Sequence, residues 1–155
     1  AGYGNPNISK ATTQPWGHYK GISGWHPSES YNAKIIGPAG RIYCSLADWA
    51  KFLSLQLGVE NPILERTYLD KLIEPVGFYA GGWFVTEYSW ANGTTLFHGG
   101  TNGIWYTLVV VTPKFDRVFL VATNSCSEAI TPRICSELMN MLVSMELKTT
   151  AKGDW

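Results

Sequence analysis

The spacing of apolar residues along the chain changes period three times. Over residues 1 to 43, Trp16, Tyr19, Trp25 and Tyr31 recur at neither a helical nor a strand interval and sit among Gly, Pro, Ser and Asn. That pattern predicts an extended, loop-rich segment lying on a surface. From residue 45 a helical period begins, with Trp49, Phe52, Leu53 and Leu57 on one stripe. Ser45 is placed to cap it, Asp48 falls in its first turn, and Gly58 ends it. A second short helix is expected over Glu65 to Ile73, with Tyr68, Leu69 and Leu72 on one face and Pro75 as the stop, so residues 45 to 75 read as two helices.

Beyond Tyr79 the period falls to two. Residues 80 to 90 alternate around Trp83, Val85 and Tyr88. Asn92-Gly93 reads as a two-residue hairpin turn, and Thr94 to His98 as the returning strand. After a turn over Gly100 to Gly103, Ile104 to Val111 and Arg117 to Thr123 form a further pair joined by Thr112 to Asp116. Residues 79 to 124 therefore predict an antiparallel sheet of about four strands. Thr131-Pro132 then starts a helix within 128–147, whose Ile134, Leu138, Met141, Leu142 and Met145 form a stripe able to lie across the sheet. Residues 148 to 155 read as a tail. The expected fold class is α+β, a single domain over 1–147.

At 155 residues and 45% hydrophobic content the chain can bury a core. Twelve Lys and Arg balance twelve Asp and Glu, and no basic run interleaves with aromatics, which sets nucleic acid aside as a partner. No apolar run nears the roughly 20 residues that cross a bilayer. The chain opens at Ala1 with no basic and apolar leader, so it reads as a mature, trimmed or partial product. Aromatics make up 14% against 15% charged residues, a load that an isolated domain can absorb in its core and that equally fits a piece of a larger body whose other part covers the excess.

Candidate chemistry concentrates in Leu96-Phe97-His98-Gly99-Gly100-Thr101-Asn102-Gly103-Ile104-Trp105-Tyr106. A histidine beside paired glycines between strands is where a hydrolase can present backbone N–H groups to a reacting carbonyl, because glycine lacks the Cβ that holds a ligand off the main chain. A plain turn with a surface histidine is the alternative. His18, His26, His98 and Cys44 match no metal spacing, so no metal is expected. Cys44, Cys126 and Cys135 show no CxxC spacing; free buried thiols are the default, with a Cys126–Cys135 bridge possible in an oxidising compartment. Arg41 is expected to fix a loop rather than hold a carboxylate, and Asn124 to hold the turn into the last helix.

Five segments in order carry a resemblance: Gln14-Pro15-Trp16-Gly17-His18-Tyr19, the run Gly37-Pro38-Ala39-Gly40-Arg41-Ile42-Tyr43-Cys44-Ser45-Leu46-Ala47-Asp48-Trp49-Ala50-Lys51-Phe52, Gly81-Gly82-Trp83, His98 to Gly103, and Val121-Ala122-Thr123-Asn124. Together, over about residues 11–145, they resemble the serine β-lactamase-related family, which takes in class C β-lactamases, penicillin-binding DD-peptidases and family VIII esterases. That family has three catalytic motifs, Ser-x-x-Lys, Tyr-x-Asn and Lys-Thr-Gly or His-x-Gly, and only the third is matched here. No serine in the chain has a lysine three positions later, Ser9 lies next to Lys10, and Tyr3-Gly4-Asn5 stands too close to the Trp-Gly-His segment to serve as the second motif.

The resemblance implies the carboxyl-terminal, sheet-side half of a β-lactamase/transpeptidase-like fold. His98 takes the polar strand position that orients substrate, Gly100 follows it, and the Thr101 N–H is the oxyanion donor. Gly99 replaces a hydroxyl residue that receives a substrate carboxylate, favouring an ester or peptide over a penicillin-like anion. Asn102, Trp105 and Trp16 flank the acyl site, with core packing the alternative role for Trp16. The implied function is serine hydrolysis by acyl transfer on a β-lactam, ester or peptide carbonyl, without cofactor, in partnership with the amino-terminal half of the fold. A periplasmic or secreted location follows from the same resemblance, and this chain alone is expected to be inactive. The competing reading is a non-catalytic α+β binding module, and an open sheet edge leaves a homo-oligomer possible.

Overall fold

In the computed structural model, residues 1–4, 14–58 and 64–153 are described. The expectations that fall on Asn5, Ser9 and Lys10 lie outside them. The architecture is α+β in three layers, with helices on both faces of an antiparallel sheet. The sheet is a meander of five strands rather than about four: β5 (Tyr79–Ala80), β6 (Trp83–Tyr88), β7 (Gly93–Thr101), β8 (Tyr106–Thr112) and β9 (Arg117–Thr123), paired in that order. The extra strand is the two-residue β5. It escapes a periodicity reading because Gly81-Gly82 folds it straight back onto β6.

Two smaller sheets come from the segment expected to be loop. β1 (Gly2–Tyr3) pairs with β4 (Ile42–Tyr43), while β2 (Gly17–Gly21) and β3 (Gly24–Ser28) form a hairpin. β10 (Ser125–Cys126) joins β2 in parallel from the far end of the chain. Their backbones pair although, in β2 and β3, no residue but Gly17 is buried, so no apolar alternation marks them. α1 (Gly37–Gly40) is a single turn carrying Pro38.

α2 (Leu46–Leu53) begins as its residues predict, with the Ser45 hydroxyl accepting the Asp48 N–H at 3.1 Å. It continues as a 3-10 turn to Leu57, and Gly58 then takes a left-handed φ of 86°. Leu53 is fully buried against Trp83, Leu96, Val109 and Val111, with Trp49 and Leu57 beside it. Phe52, assigned to the same stripe, is instead 58% exposed. In α3 (Arg66–Leu72) only Leu69 is buried, and Tyr68 and Leu72 face outward.

The connections between the longest strands share one design. Tyr88 pairs with Gly93 and Thr112 with Arg117, so each link holds four residues. Each is a 3-10 turn ending in a left-handed residue, Asn92 at φ 57° and Asp116 at φ 56°. The anticipated two-residue turn at Asn92-Gly93 is therefore longer, and Gly93 already belongs to β7. Trp90 of one link meets Phe115 of the other edge-on at 6.2 Å.

α4 runs Thr131–Gly153, through most of the expected tail. It lies on β8 and β9 through Cys135, Met139, Leu142 and Val143, which meet Phe119, Val121, Leu108 and Val110. Of the stripe assigned from sequence only Leu142 meets the sheet: Met141 and Met145 are 62% and 63% exposed, and Ile134 and Leu138 are exposed too. The helix carries two apolar stripes, and side-chain period alone does not tell which one meets the sheet. No described helix is long and apolar enough to cross a membrane.

Burial separates two neighbouring α2 residues cleanly. Leu53→Ala is expected to lower unfolding free energy by about 2–5 kcal/mol, whereas Phe52→Ala changes it by less than about 0.5 kcal/mol, as for a surface site. Urea unfolding of both variants checks the assignment.

Candidate functional site

His98-Gly99-Gly100-Thr101 lies within β7 and not in the turn that the glycines suggested. The turn is Asn102 to Trp105. The register explains the shift: His98, Gly99, Gly100 and Thr101 pair with Val109, Leu108, Thr107 and Tyr106 of β8. On the other side β6 pairs with β7 only as far as Phe97, opposite Phe84. Among the described residues, Trp83 at the start of β6 falls opposite His98, so β7 outruns its neighbour by three residues, and Gly99 to Thr101 present an unpaired strand edge.

The two glycines have different reasons. A Cβ on Gly99 would sit 3.0 Å from the Tyr106 hydroxyl, tighter than ordinary contact. A Cβ on Gly100 would meet nothing closer than the Thr107 hydroxyl at 3.8 Å, and its backbone does not take a left-handed φ. Nothing inside the fold requires glycine at position 100, which is exposed.

Thr101 and Asn102 build the turn. The Thr101 hydroxyl donates to the Trp105 carbonyl at 2.6 Å and accepts the Gly103 N–H at 2.9 Å, with Cys126 Sγ 3.1 Å away. Asn102 Oδ1 accepts the N–H of Trp105 at 3.0 Å and of Ile104 at 3.3 Å. Gly103 supplies the left-handed φ of 84° that the turn needs. With its side chain occupied, Thr101 can address a ligand only through its main chain.

The turn also receives the amino-terminal segment. Trp105 lies over Gly17, where a Cβ would collide with the indole nitrogen and come within 2.7 Å of Ile104 Cδ1. The His18 N–H is shared between the carbonyls of Asn124 at 2.8 Å and Ile104 at 3.0 Å. Asn124 Nδ2 donates to the Trp16 carbonyl at 3.0 Å, so Asn124 ties residues 16–18 to the sheet rather than capping the last helix. The structure therefore groups Trp16 and Trp105 with Asn102 and Thr101 at the end of β7. Arg41 fixes a loop as expected, donating from Nη1 to the Asn32 carbonyl at 3.3 Å between the rings of Tyr3 and Tyr31.

Neither a protein-family model nor a curated protein sequence matches the chain. The His98 imidazole has one side-chain partner among the described residues, Tyr79 Oη, at 3.3 Å from Nε2. The Phe84 ring stacks on it at 5.8 Å and 25°. Tyr79 was missed in the sequence; its signal was the Gly81-Gly82 pair behind it, which turns β5 back toward β6. An open trough of about 250 Å³ lies alongside, lined by Phe78, Phe84, Val85, Thr86, Tyr88 and Phe97. It exists because α4 covers only the β8 and β9 part of this face.

All three cysteines are free. Burial pushes the Cys135 thiol up from its ordinary value of 9.0, helped by Cys126, and pushes the Tyr106 phenol up from 10.0, helped by both thiols. Cys135 is thus held as a neutral thiol, the unreactive form. Because both groups keep their protons more tightly when folded, their stabilising effect is complete below the unfolded-state values and is lost as pH rises through the folded-state ones. Melting temperature is expected to fall from about pH 9 upward, and Tyr106→Phe to make that fall shallower. Thermal melts from pH 8 to 11 check the sign.

Proposed function

We propose that this chain is the sheet-side part of a β-lactamase-like serine hydrolase, acting by acyl transfer on a β-lactam, ester or peptide carbonyl. The observation that carries the reading is the three-residue overhang of β7 around Gly100, a glycine that packing and backbone leave free to be something else. A bare, extended strand edge lets the main chain of a substrate approach in the manner of an added strand. The Gly100 and Thr101 backbone then lies where a carbonyl oxygen gains negative charge. His98 orients the substrate and its proton network, Gly99 and Asn102 border the leaving side, and Trp105 and Trp16 form the wall. The amino-terminal half of the fold supplies the serine, its lysine and the tyrosine. Serine attacks the carbonyl, the leaving group departs with a proton, and water releases the acyl group from the serine.

The open aromatic trough supports a second reading, a non-catalytic α+β module that binds an apolar segment through Phe78, Phe84 and Phe97. Intact-mass spectrometry after exposure to nitrocefin or a p-nitrophenyl ester tests the first reading. The chain alone is expected to gain no adduct, and the full-length gene product to gain one acyl group per molecule. A full-length product that stays unmodified would leave the second reading standing.

Gly100→Ala separates stability from function. Its unfolding free energy should stay equal or rise by up to about 1 kcal/mol, since alanine fits the extended backbone with less entropy to lose. Acylation in the full-length protein should drop, because the added methyl group stands on the strand where the substrate approaches. Unchanged acylation would remove Gly100 from the site.

A further inference from the structure

We propose that Tyr79 is the positioning residue of His98, fixing both the plane of the imidazole and which of its nitrogens carries the proton. The kinetic consequence rests on the acyl-transfer reading; the structural one does not.

Three features make the Tyr79 hydroxyl a fixed point although it comes from a two-residue edge strand. Gly81-Gly82 closes a hairpin that sets Tyr79 across from Phe84. Gly82 takes a φ of 87°, and a Cβ on Gly81 would lie 2.8 Å from the Leu72 carbonyl oxygen, so both positions require glycine. The main chain is tied on either side, with the Val76 N–H bonded to the Tyr79 carbonyl at 2.9 Å and the Val85 N–H to the Phe78 carbonyl at 2.9 Å. The ring is then clamped by edge-on contact with Phe84 at 4.9 Å and 79°. Phe84 in turn stacks on both Phe97 and His98. One aromatic cluster therefore holds the phenol and the imidazole together.

A neutral imidazole offers one N–H and one lone pair, and its partner decides which nitrogen is which. With the phenol O–H donating to Nε2, the ring proton resides on Nδ1. His98 then has an Nδ1–H to offer a substrate oxygen, and its lone pair is engaged and cannot drift to another donor. A histidine with no partner favours the opposite form, with the proton on Nε2. The phenol of Tyr79 is 39% exposed, so its removal leaves no buried void.

Tyr79→Phe keeps the ring and deletes only the hydroxyl. Long-range proton–nitrogen NMR spectra of the isolated chain, labelled at histidine and recorded above the titration range of imidazole, read the two nitrogens directly. In the wild type the His98 Nδ1 should show the pyrrole-type shift and Nε2 the pyridine-type shift. In Tyr79→Phe the two should exchange character, with backbone spectra unchanged away from β5 and β7. Wild-type protein with its proton on Nε2, or identical His98 shifts in both proteins, would overturn the proposal. In the full-length product Tyr79→Phe should slow acylation about three- to tenfold, the rate equivalent of one neutral hydrogen bond, with substrate binding unchanged; an unchanged rate would overturn the kinetic part. Should the wild-type full-length product form no acyl-enzyme, the hydrolase reading falls, while the nitrogen shifts still decide the link between Tyr79 and His98.

Discussion

Backbone pairing between Leu96–Thr101 of β7 and Tyr106–Val111 of β8 is the constraint on which the rest of this fold depends. Two adjacent glycines in mid-strand lose more conformational entropy than any other pair, and left to themselves they favour a turn. The ladder to β8 keeps them extended. β8 can supply that ladder because it is anchored from both faces, Val109 and Val111 in the cluster under α2, Leu108 and Val110 against α4. The buried rows on either side of β8 thus translate directly into the straightness of the Gly99 to Thr101 edge.

How much of this could be read beforehand follows from which interactions set each element. α2 was legible because its cap, Ser45, and its buried Leu53 are local to one helical period. β8 and β9 were legible because β-branched residues run through them between turn formers. The hairpin at Gly17–Ser28 was not, since its third strand is Ser125–Cys126, far along the chain, and only Gly17 within it is buried. The strand character of His98 to Thr101 was hidden for a related reason: local glycine preference lost to a cross-strand register set by valines elsewhere. The helix stripe failed on a different count. α4 has apolar residues on two faces, and the choice of Cys135 and Met139 over Met141 and Met145 is made by the shape of β8 and β9. At the site, the histidine and glycines were visible as residue types, but their relation to Tyr79 required the β5 hairpin.

The exposed apolar residues form a coherent pattern around this core. Phe52, Leu72 and Phe78 are exposed, and Ile134, Leu138, Met141 and Met145 line one side of α4. On α4 these make a contiguous apolar stripe rather than scattered single residues. On the proposed reading it is the physical counterpart of the nucleophile-bearing half.

The most direct measurement is the structure of the full-length gene product after reaction with a phosphonate ester, which leaves a tetrahedral, negatively charged group on an attacking serine. The account predicts a phosphoryl oxygen within about 3 Å of the Thr101 main-chain nitrogen, with the Gly100 backbone alongside and no side chain between. A phosphonyl group held away from β7, with its oxygen facing other donors, would contradict it.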